Sequence, residues 1–257
     1  MKSFGARPCC QNLPKMELSA IGQNWCFLMK QVSRARAELI MSERGWLPLL
    51  PEAFRNEVLR RSTLRRFAPG DTVFRLNDPA GGIYGLVTGT VSISFAQPGA
   101  TPRLILLGIP GHWTGEGCFI TRKPRKAEIT AVVDTTMLHL PLGAMDQMAA
   151  RDPTVVHHVA LMLMMTVEVL FRVIDDLQKA DVHKRIASVL ERTSWIGKAP
   201  IPLTQTEIGL MANASRKQVN AALKRFSDAG WLTNTYRSIC ITDPDELRRF
   251  VEEDGPD

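Results

Sequence analysis

Two short helices are predicted in the last third of the chain, because apolar positions recur there at spacings of three and four residues. Each helix begins with a capping box, in which a Ser or Thr is followed three positions later by Glu or Gln. The boxes join Thr204 with Glu207 and Ser215 with Gln218, and only residues 212–214 separate the two helices. Helices joined by so short a turn cross steeply, so the pattern predicts a helix-turn-helix.

The flanking segments extend this pair to a domain. A helix capped by Asp181 is predicted to run to Arg192, and two β-rich runs, 232–235 and 239–242, follow the pair as a two-stranded wing. Asp243 then caps a last helix that has a proline in its first turn. This order predicts a winged helix-turn-helix domain over residues 181–257.

Between about Leu64 and Leu140 the pattern changes to short runs rich in β-branched and apolar residues, separated by Gly, Pro, Asn and Asp. Many short strands at regular spacing indicate a barrel, a sandwich or a jelly roll. An amphipathic helix from Pro51 to Ser62 precedes them, so residues 46–150 are predicted to form one β domain. The predicted strands are 73–74, 83–87, 91–95, 104–107 and 129–133.

A long helix is predicted over residues 151–180, beginning at Asp152 and Pro153. Its apolar residues alternate at spacings of three and four through three heptads, as in the seam of a coiled coil. We predict that this seam joins two copies of the chain, while a single helix buried within a monomer is the alternative. A second stripe of Val155, Met162 and Val169 would pack on the β domain. The predicted seam is Val156, Val159, Leu163, Thr166, Leu170, Val173 and Leu177.

Residues 1–45 show only a weakly amphipathic helix around 25–40, and we treat them as an extension of uncertain order. Ordered domain sequence is expected to begin after Met41, which is either the translation start or part of a genuine arm. The five cysteines are an odd number at scattered spacings, which argues against a disulfide framework and for a reducing cytoplasm. Cys9 and Cys10 are expected to be free thiols, because adjacent cysteines without a CxxC partner make a poor metal site.

Composition and charge narrow the classes of function. The 257 residues are 45% apolar and 23% charged, which is typical of a globular protein with room for two domains. The formal net charge of +6 arises from residues 1–70, which hold 12 Lys or Arg against 5 Asp or Glu. No signal peptide is predicted, because the first 25 residues lack a basic start followed by a continuous apolar core. No membrane span is predicted either, because the most apolar run, 159–167, is short and ends at Glu168.

The second helix of the pair carries the local signal for a polyanion. Four cations and no acid lie between Asn213 and Phe226. A solvated face of an ordinary helix usually mixes charge signs, so an all-positive helix favours nucleic acid. The alternative is that these cations only solvate the surface.

The order of β domain, long helix and winged helix-turn-helix resembles the Crp/Fnr family of bacterial regulators over about residues 46–250. The strongest match is LTQTEIGLMANASRKQVNAALKRF, and RRFAPGDTVF and GLVTGTVSISF resemble the family's β-roll. The resemblance implies an α+β fold: an N-terminal β-roll (a jelly roll of the cyclic-nucleotide-binding type), a long dimerisation helix and a C-terminal winged helix-turn-helix. It also implies a homodimer, a sensory β-roll and a palindromic DNA site.

The resemblance assigns residues to DNA. In such a dimer the two second helices would enter adjacent major grooves, about 34 Å apart. Arg216, Lys217 and Asn220 stand where the family reads bases, and Arg216 could donate two hydrogen bonds to guanine. Ser215 and Gln218 are expected to contact phosphate or only to cap the helix. The full predicted DNA-binding set is Arg216, Lys217, Asn220, Ser215, Gln218, Lys224 and Thr204.

Two departures from the family pattern change the expected half-site. Lys217 replaces the acid with which the family usually reads cytosine. Ala221 replaces an arginine that is common one turn later. The half-site should therefore differ from that of the cyclic-AMP receptor protein.

The resemblance also implies a ligand site in the β-roll. Glu116 could accept from a ribose hydroxyl and Arg125 could meet a phosphate, while Lys126 stands where a Ser is usual. Leu170 and Phe171 occupy positions that meet adenine in the family, and their side chains give a base no hydrogen bond. Two interpretations stay open, a site for cyclic AMP or another anion and a solvated loop of cations, so the effector is unknown.

No catalytic residue and no metal site is predicted, because no clustered nucleophile, base and orienting acid, no metal-ligand spacing and no phosphate loop occurs. Cys9, Cys10 and Cys26 do not reproduce the spacing of the family's Fe–S branch, so no cluster is expected. We predict a cytoplasmic transcription regulator with double-stranded DNA and a second copy as partners, RNA polymerase if it activates, and no membrane. The alternative is a ligand-binding signalling module whose winged domain docks a protein.

Overall fold

The computed structural model describes residues 32–96, 100, 102–194, 200–235 and 238–253, and the chain from Arg34 onward forms one compact unit. A β-roll, a long helix and a helical domain with a two-stranded wing follow one another along this unit. This order confirms the predicted fold class.

Eight strands of the described chain form the β-roll as two antiparallel sheets. One sheet has the order β1-β8-β3-β6 and the other β2-β7-β4-β5. Their inner faces enclose an apolar cluster around Leu86, Ile129 and Met137, because alternate residues of a strand point to the same side. The strands are β1 (Thr63–Phe67), β2 (Thr72–Phe74), β3 (Ile83–Thr88), β4 (Val91–Phe95), β5 (Arg103–Gly108), β6 (Trp113–Thr114), β7 (Ala127–Ala131) and β8 (Thr135–Leu140).

Three of these strands, β1, β6 and β8, were not predicted. Strand β1 lies at a sheet edge and exposes Arg65 and Arg66, so its composition is that of a surface loop. Strand β6 has only two residues. Strand β8 is buried on both faces, with only His139 partly exposed, which removes the alternation of apolar and polar residues that marks a strand.

Helices pack around the roll. The first of these helices shows that ordered structure begins before Met41, earlier than expected. Helix α1 (Arg34–Glu43) begins later and ends later than the predicted helix at 25–40, of which residues 25–31 lie outside the described chain. Met41 is fully buried, and its Cε lies 2.8 Å from where a Cβ on Gly85 would stand. Met41 is therefore a core residue rather than the boundary of the ordered domain.

Three further helices belong to the roll. Helix α2 (Glu52–Arg61) confirms the predicted amphipathic helix, and it buries Phe54, Val58 and Leu59. Helices α3 (Glu116–Thr121) and α4 (Leu142–Arg151) were missed. Helix α4 is short and consists largely of Gly, Ala and Met, so its apolar stripe is weak in the sequence. This explains why the helix was not predicted.

The long helix α5 (Thr154–Gln178) starts after Asp152, whose carboxylate accepts from the Thr154 N–H at 2.9 Å. Its two sides differ. Val155, Val159, Met162 and Val173 are buried against the rest of the same chain. The opposite side is exposed and apolar, and it includes Phe171 and Ile174, which are 63% and 51% exposed.

The C-terminal domain follows its prediction closely. Its elements are α6 (Val182–Glu191), α7 (Gln205–Met211), α8 (Arg216–Asp228), β9 (Leu232–Thr235), β10 (Ser238–Ile241) and α9 (Pro244–Glu252). Strands β9 and β10 pair antiparallel as the wing, whose tip at 236–237 lies outside the described residues. Val219, Leu223 and Phe226 of α8 are fully buried in the domain core. Leu104 and Leu107 of β5 pack on that core and join the β-roll to this domain.

Candidate nucleic-acid interface and ligand cavity

The turn between α7 and α8 is set by short-range sterics and capping. A Cβ on Gly209 would lie 2.8 Å from the Ala214 carbonyl oxygen, so only glycine lets the turn approach α7 this closely. Asn213 adopts a left-handed conformation, which asparagine tolerates better than most residues. These two residues bring the start of α8 directly after the end of α7.

Both predicted capping boxes are present. The Glu207 N–H donates to Thr204 Oγ1 at 3.2 Å, and the Thr204 N–H donates to the Glu207 carboxylate at 2.7 Å. The Gln218 N–H donates to Ser215 Oγ at 3.3 Å, and the Ser215 N–H donates to Gln218 Oε1 at 2.8 Å. Thr204, Ser215 and Gln218 therefore cap helices, and Gln218 keeps only its amide N–H donors for other partners.

The cationic residues of α8 are exposed on the side opposite the core. Arg216, Lys217, Asn220 and Lys224 all point to solvent, as does the small side chain of Ala221. This surface combines three cations with the positive end of the helix dipole and contains no acid, which is the arrangement that attracts a phosphate backbone.

Arg225, the fourth cation of α8, has a different role. Its guanidinium lies 4.7 Å from the centre of the Phe250 ring on α9, in a cation–π contact. Arg225 is thus engaged in packing α8 against α9, while Arg216 and Lys217 are free to meet a ligand.

A second candidate site is a cavity of about 370 Å³ in the β-roll, lined by Phe74, Tyr84, Arg125 and His139 among others. Arg125 is only 4% exposed, and it donates to the Gly82 carbonyl at 2.7 Å and to the Gly115 carbonyl at 3.3 Å. Its guanidinium also lies 4.1 Å from the centre of the Phe74 ring. The solvated-loop interpretation is therefore wrong for Arg125.

The aromatic walls of this cavity favour neutral groups. Tyr84 and His139 stack at 4.3 Å between ring centres. Burial, together with the positive charges of Arg65 and Arg125, lowers the pKa of His139 to about 4, so its imidazole is neutral at pH 7. Burial also raises the pKa of Tyr84. Arg125 is consequently the charged group of the cavity wall that is best placed to attract an anion.

The other two predicted ligand residues do not join Arg125 at this cavity. Lys126 is exposed, like Arg122 and Lys123 of the same loop. Glu116 is buried at the start of α3, where Thr166 Oγ1 of α5 lies 3.2 Å from its Oε1. Burial raises the pKa of Glu116, against the opposing effects of its hydrogen bonds and of Arg125. Glu116 thus links the roll to the long helix.

The predicted dimer seam divides between the two sides of α5. Val159 and Val173 are buried within the same chain, so they have no surface left for a partner. Leu163 and Thr166 are half-buried, and Thr166 turns toward Glu116. Leu170 and Leu177 are exposed.

Helix α5 also passes the length and hydropathy requirements of a membrane span, which the sequence did not predict. Such requirements are weak on their own, because long helices of soluble proteins meet them as well. One side of α5 packs on the roll, and its Thr166 bonds to buried Glu116. No cluster of three or more His, Cys, Asp or Glu that could hold a metal ion occurs among the described residues.

Sequence reasoning missed the residues that surround Arg125. Phe74 and Tyr84 lie in predicted strands and His139 in a missed one, and nothing in their spacing shows that they converge. The nearest signal was the pair of turns at Gly81–Gly82 and Gly115, whose carbonyls receive Arg125. Strand pairing, rather than local pattern, brings these groups together.

Two family models match the chain. The model of the cyclic nucleotide-binding domain matches residues 64–152, and the model of the Crp-like helix-turn-helix domain matches residues 184–250. The first therefore covers the β-roll with the Arg125 cavity, and the second covers α7, α8 and the wing. Together they span more than half of the chain.

Known proteins with the same arrangement are similar over most of their length. A CRP-like cAMP-activated global transcriptional regulator of Mycobacterium tuberculosis is 26% identical over 191 residues, which cover 71% of this chain and 85% of that protein. The structure of FixK2 from Bradyrhizobium japonicum has a TM-score of 0.64 at 17% identity, covering 76% of this chain and 99% of that one. The structure of the c-di-GMP responsive global regulator CLP of Xanthomonas campestris has a TM-score of 0.60 at 20% identity, covering 74% and 99%.

The exposed cationic face of α8 lies within a Crp-like helix-turn-helix, and a cyclic nucleotide-binding β-roll precedes it. This arrangement is shared with the relatives above and regulates transcription through DNA. The chain belongs to the Crp/Fnr family of DNA-binding transcription regulators.

Proposed function

We propose that the protein acts as a cytoplasmic homodimer that binds a two-fold symmetric DNA site and whose affinity for that site is set by an anionic ligand in the β-roll. The observation that carries the proposal is the geometry of α5 and α8. Each protomer leaves one apolar stripe of α5 partly uncovered and presents to solvent a cationic face of α8 that carries no acid between Arg216 and Phe226.

The proposed dimer seam keeps four residues of the predicted seam and replaces its other three, Val159, Thr166 and Val173, by Ala160, Val167 and Ile174. Its members recur at spacings of four and three, which is the heptad pattern of a two-helix interface. Four of the seven are exposed and three are partly exposed, and an apolar surface of this kind marks an interaction site. Packing two copies of α5 along it covers both stripes at once, as an isologous interface requires. The stripe is Val156, Ala160, Leu163, Val167, Leu170, Ile174 and Leu177.

The proposed base-reading residues are those that α8 exposes near its N-terminus. Arg216 can donate two hydrogen bonds to guanine, and Asn220 can pair with adenine through its amide. Lys217 is a second donor for guanine, and the methyl group of Ala221 suits the methyl of thymine. Lys224, one turn later, is proposed to contact phosphate, and the N–H donors of Gln218 can do the same from the helix start.

The proposed ligand is anionic because Arg125 is a buried cation that donates to two neutral carbonyls. A buried guanidinium gains from a direct charged partner, so an anion bound beside it would be favoured. A cyclic nucleotide fits the cavity in part: Arg125 can bind the phosphate, and Phe74 and Tyr84 can face a base. Neither Glu116, whose Oε1 is engaged by Thr166, nor exposed Lys126 is among the residues that line the cavity.

The remaining parts of the proposal follow from the family. The protein is proposed to have no catalytic activity, since the cavity brings a neutral imidazole, a phenol and a cation together without a nucleophile. If it activates transcription, RNA polymerase is the expected partner. The winged domain is proposed to bind DNA rather than a protein, because its exposed cations match a polyanion.

The dimer is tested by sedimentation velocity. The wild-type protein should sediment as a dimer. Ile174→Glu, which places a charge in the middle of the stripe, should yield monomers. The matched control is Leu49→Glu, because Leu49 is equally apolar and exposed but lies outside α5. A dimer that survives Ile174→Glu would show that this stripe is not the interface.

Ligand control is tested by DNA site selection with and without nucleotide. Cyclic AMP and cyclic di-GMP serve as probes, and calorimetry measures their binding to the dimer. Binding of either probe should change the affinity for the selected DNA and should disappear in Arg125→Gln. If neither probe binds and neither changes DNA affinity, cyclic AMP and cyclic di-GMP are excluded as effectors at this cavity.

A further inference from the structure

Arg185 of α6 joins parts of the chain that are far apart in sequence. Its Nε donates to the Ala212 carbonyl at 3.0 Å, and its Nη1 donates to the Lys179 carbonyl at 2.7 Å. Weaker contacts reach the Ala180 carbonyl at 3.2 Å and the Asn213 carbonyl at 3.5 Å. One guanidinium therefore contacts four main-chain oxygens in two groups.

The two groups are the C-terminal ends of two helices. Lys179 caps the end of α5, and Ala212 caps the end of α7. The last carbonyls of a helix have no partner inside it, and the helix dipole makes this end negative. A permanently charged planar fork suits such a place, because it can donate to both helix ends at once.

The same joint holds an ion-pair network. Asp176, in the last turn of α5, accepts from Lys179 at 2.9 Å and from Arg192 at the end of α6. Asp176 and Arg192 are both largely buried, at 15% and 21% side-chain exposure. Asp176 ties α5 to α6, whereas Arg185 ties the end of α5 to the turn that precedes the recognition helix α8.

This turn determines where α8 points. Ala212 and Asn213 are followed within three residues by Arg216, the first residue of α8. If the carbonyls of the turn are fixed on the end of α5, the direction of α8 is fixed relative to the dimer helix. A small rotation at this joint would move the base-reading residues along the DNA, where successive base pairs are about 3.4 Å apart.

We propose that Arg185 is a positioning residue that sets the distance between the two half-sites read by the dimer, without contributing to the reading of bases. The proposal rests on the proposed dimer. Loss of Arg185 should therefore loosen the preferred spacing of half-sites and leave their sequence unchanged. A residue with a merely structural role would weaken binding to every spacing by the same factor.

The test measures affinity for DNA in which two selected half-sites are separated by the preferred spacer or by one base pair more or less. We expect the wild-type dimer to prefer its spacing by about tenfold, because a mismatch must be absorbed by deforming DNA. In Arg185→Gln this preference should fall to about threefold or less, with affinity for a single half-site kept within about twofold. The spacing ratio is internal to one preparation, so an inactive fraction does not affect it.

Two further variants complete the design. Arg249→Gln removes an equal charge from an exposed ion pair with Glu246 on α9, away from the joint, and should keep the wild-type ratio. Arg185→Lys keeps the charge but loses the planar fork of the guanidinium, so its spacing ratio should lie between those of wild type and Arg185→Gln. If Arg185→Gln does not fold, the spacing ratio of Arg185→Lys decides the test. An unchanged ratio in the Arg185 variant would overturn the proposal. A wild-type protein that selects only single half-sites would overturn the dimer as well.

Discussion

The helix-turn-helix and the Arg125 cavity both depend on placed polar groups, but they obtain their partners in opposite ways. Each capping bond at α7 and α8 joins residues three positions apart. Arg125, in the loop before β7, instead reaches carbonyls 10 and 43 positions away, and the ring beneath it belongs to Phe74 of β2. One site is assembled by local sequence and the other by the complete β-roll.

This difference predicts different consequences of mutation. A locally assembled site that faces solvent can lose a side chain with little effect on folding. A site whose partners come from several strands is part of the core, so a change there should cost stability as well as function. Substitutions in the two regions therefore test this difference.

The largest effect is expected for Arg125→Ala. The buried Gly82 carbonyl and the partly buried Gly115 carbonyl lose a charged donor, and Phe74 loses its cation–π partner. Together these losses should lower the free energy of unfolding by about 3–5 kcal/mol. The measurement is urea denaturation followed by circular dichroism. Lys126→Ala removes the next, exposed cation and should change stability by no more than about 0.5 kcal/mol. Equal effects of both variants would mean that Arg125 is as solvated as its neighbour.

Arg216→Ala should show the opposite profile. Stability should stay within about 0.5 kcal/mol, because the side chain is exposed. The free energy of operator binding should become less favourable by about 1–3 kcal/mol for each half-site, and the preference for one base at the position that Arg216 reads should be lost. The measurement is a gel-shift titration with base-substituted operators.

The control for Arg216 is Arg225→Ala, in the same helix. Arg225 packs on Phe250, so its loss should affect stability more than Arg216→Ala and should leave the base preference unchanged. If Arg216→Ala preserves both affinity and sequence preference, the assignment of base reading to this residue is wrong.

The same contrast explains what could be predicted from the sequence. Both capping boxes, the wing strands and α9 were predicted, because each is specified by residues a few positions apart. Glu116 and Arg125 were expected at one ligand site. In the structure Glu116 is hydrogen-bonded to Thr166, whereas Arg125 lines an aromatic cavity. Contacts of that kind depend on strand pairing, which local patterns do not specify.

Helix α5 shows a second limit. Two stripes with heptad spacing share residues 156, 163, 170 and 177 and differ by one residue at the other three positions, because α5 is apolar almost all round. Spacing alone could not decide whether residues 159, 166 and 173 or residues 160, 167 and 174 face the roll. The predicted seam therefore included Val159 and Val173, which the structure buries within the same chain. Burial, a property of the whole fold, was needed to separate them.

A smaller effect is expected at the local site itself for Ser215→Ala. Loss of this cap should destabilise the protein by about 1 kcal/mol, because the Gln218 N–H loses its partner. Ser215→Thr keeps a hydroxyl and should restore most of that loss. Thermal unfolding monitored by calorimetry measures both. Should Ser215→Ala cost as much as Arg125→Ala, the start of α8 would be part of the cooperative core rather than a locally assembled site.

The smallest effect is the pH dependence contributed by Glu116. Burial raises the pKa of this carboxyl above its ordinary value of 4.5, so folding favours the protonated form. The resulting stability is present below pH 4.5 and is lost as the pH rises through the folded-state pKa. Glu116→Gln stays neutral and should lack this loss, so wild type should become less stable relative to the variant as the pH increases.

The measurement is urea denaturation of both proteins at pH values from about 4 to about 8. Thr166→Val sharpens the result, because the Thr166 hydroxyl holds the pKa of Glu116 down and its removal should extend the loss to higher pH. Parallel stability curves for wild type and Glu116→Gln would mean that Glu116 is solvated like a surface acid. The link between α3 and α5 would then be no more than a surface contact, and Glu116 would be free to meet a ligand without giving up Thr166.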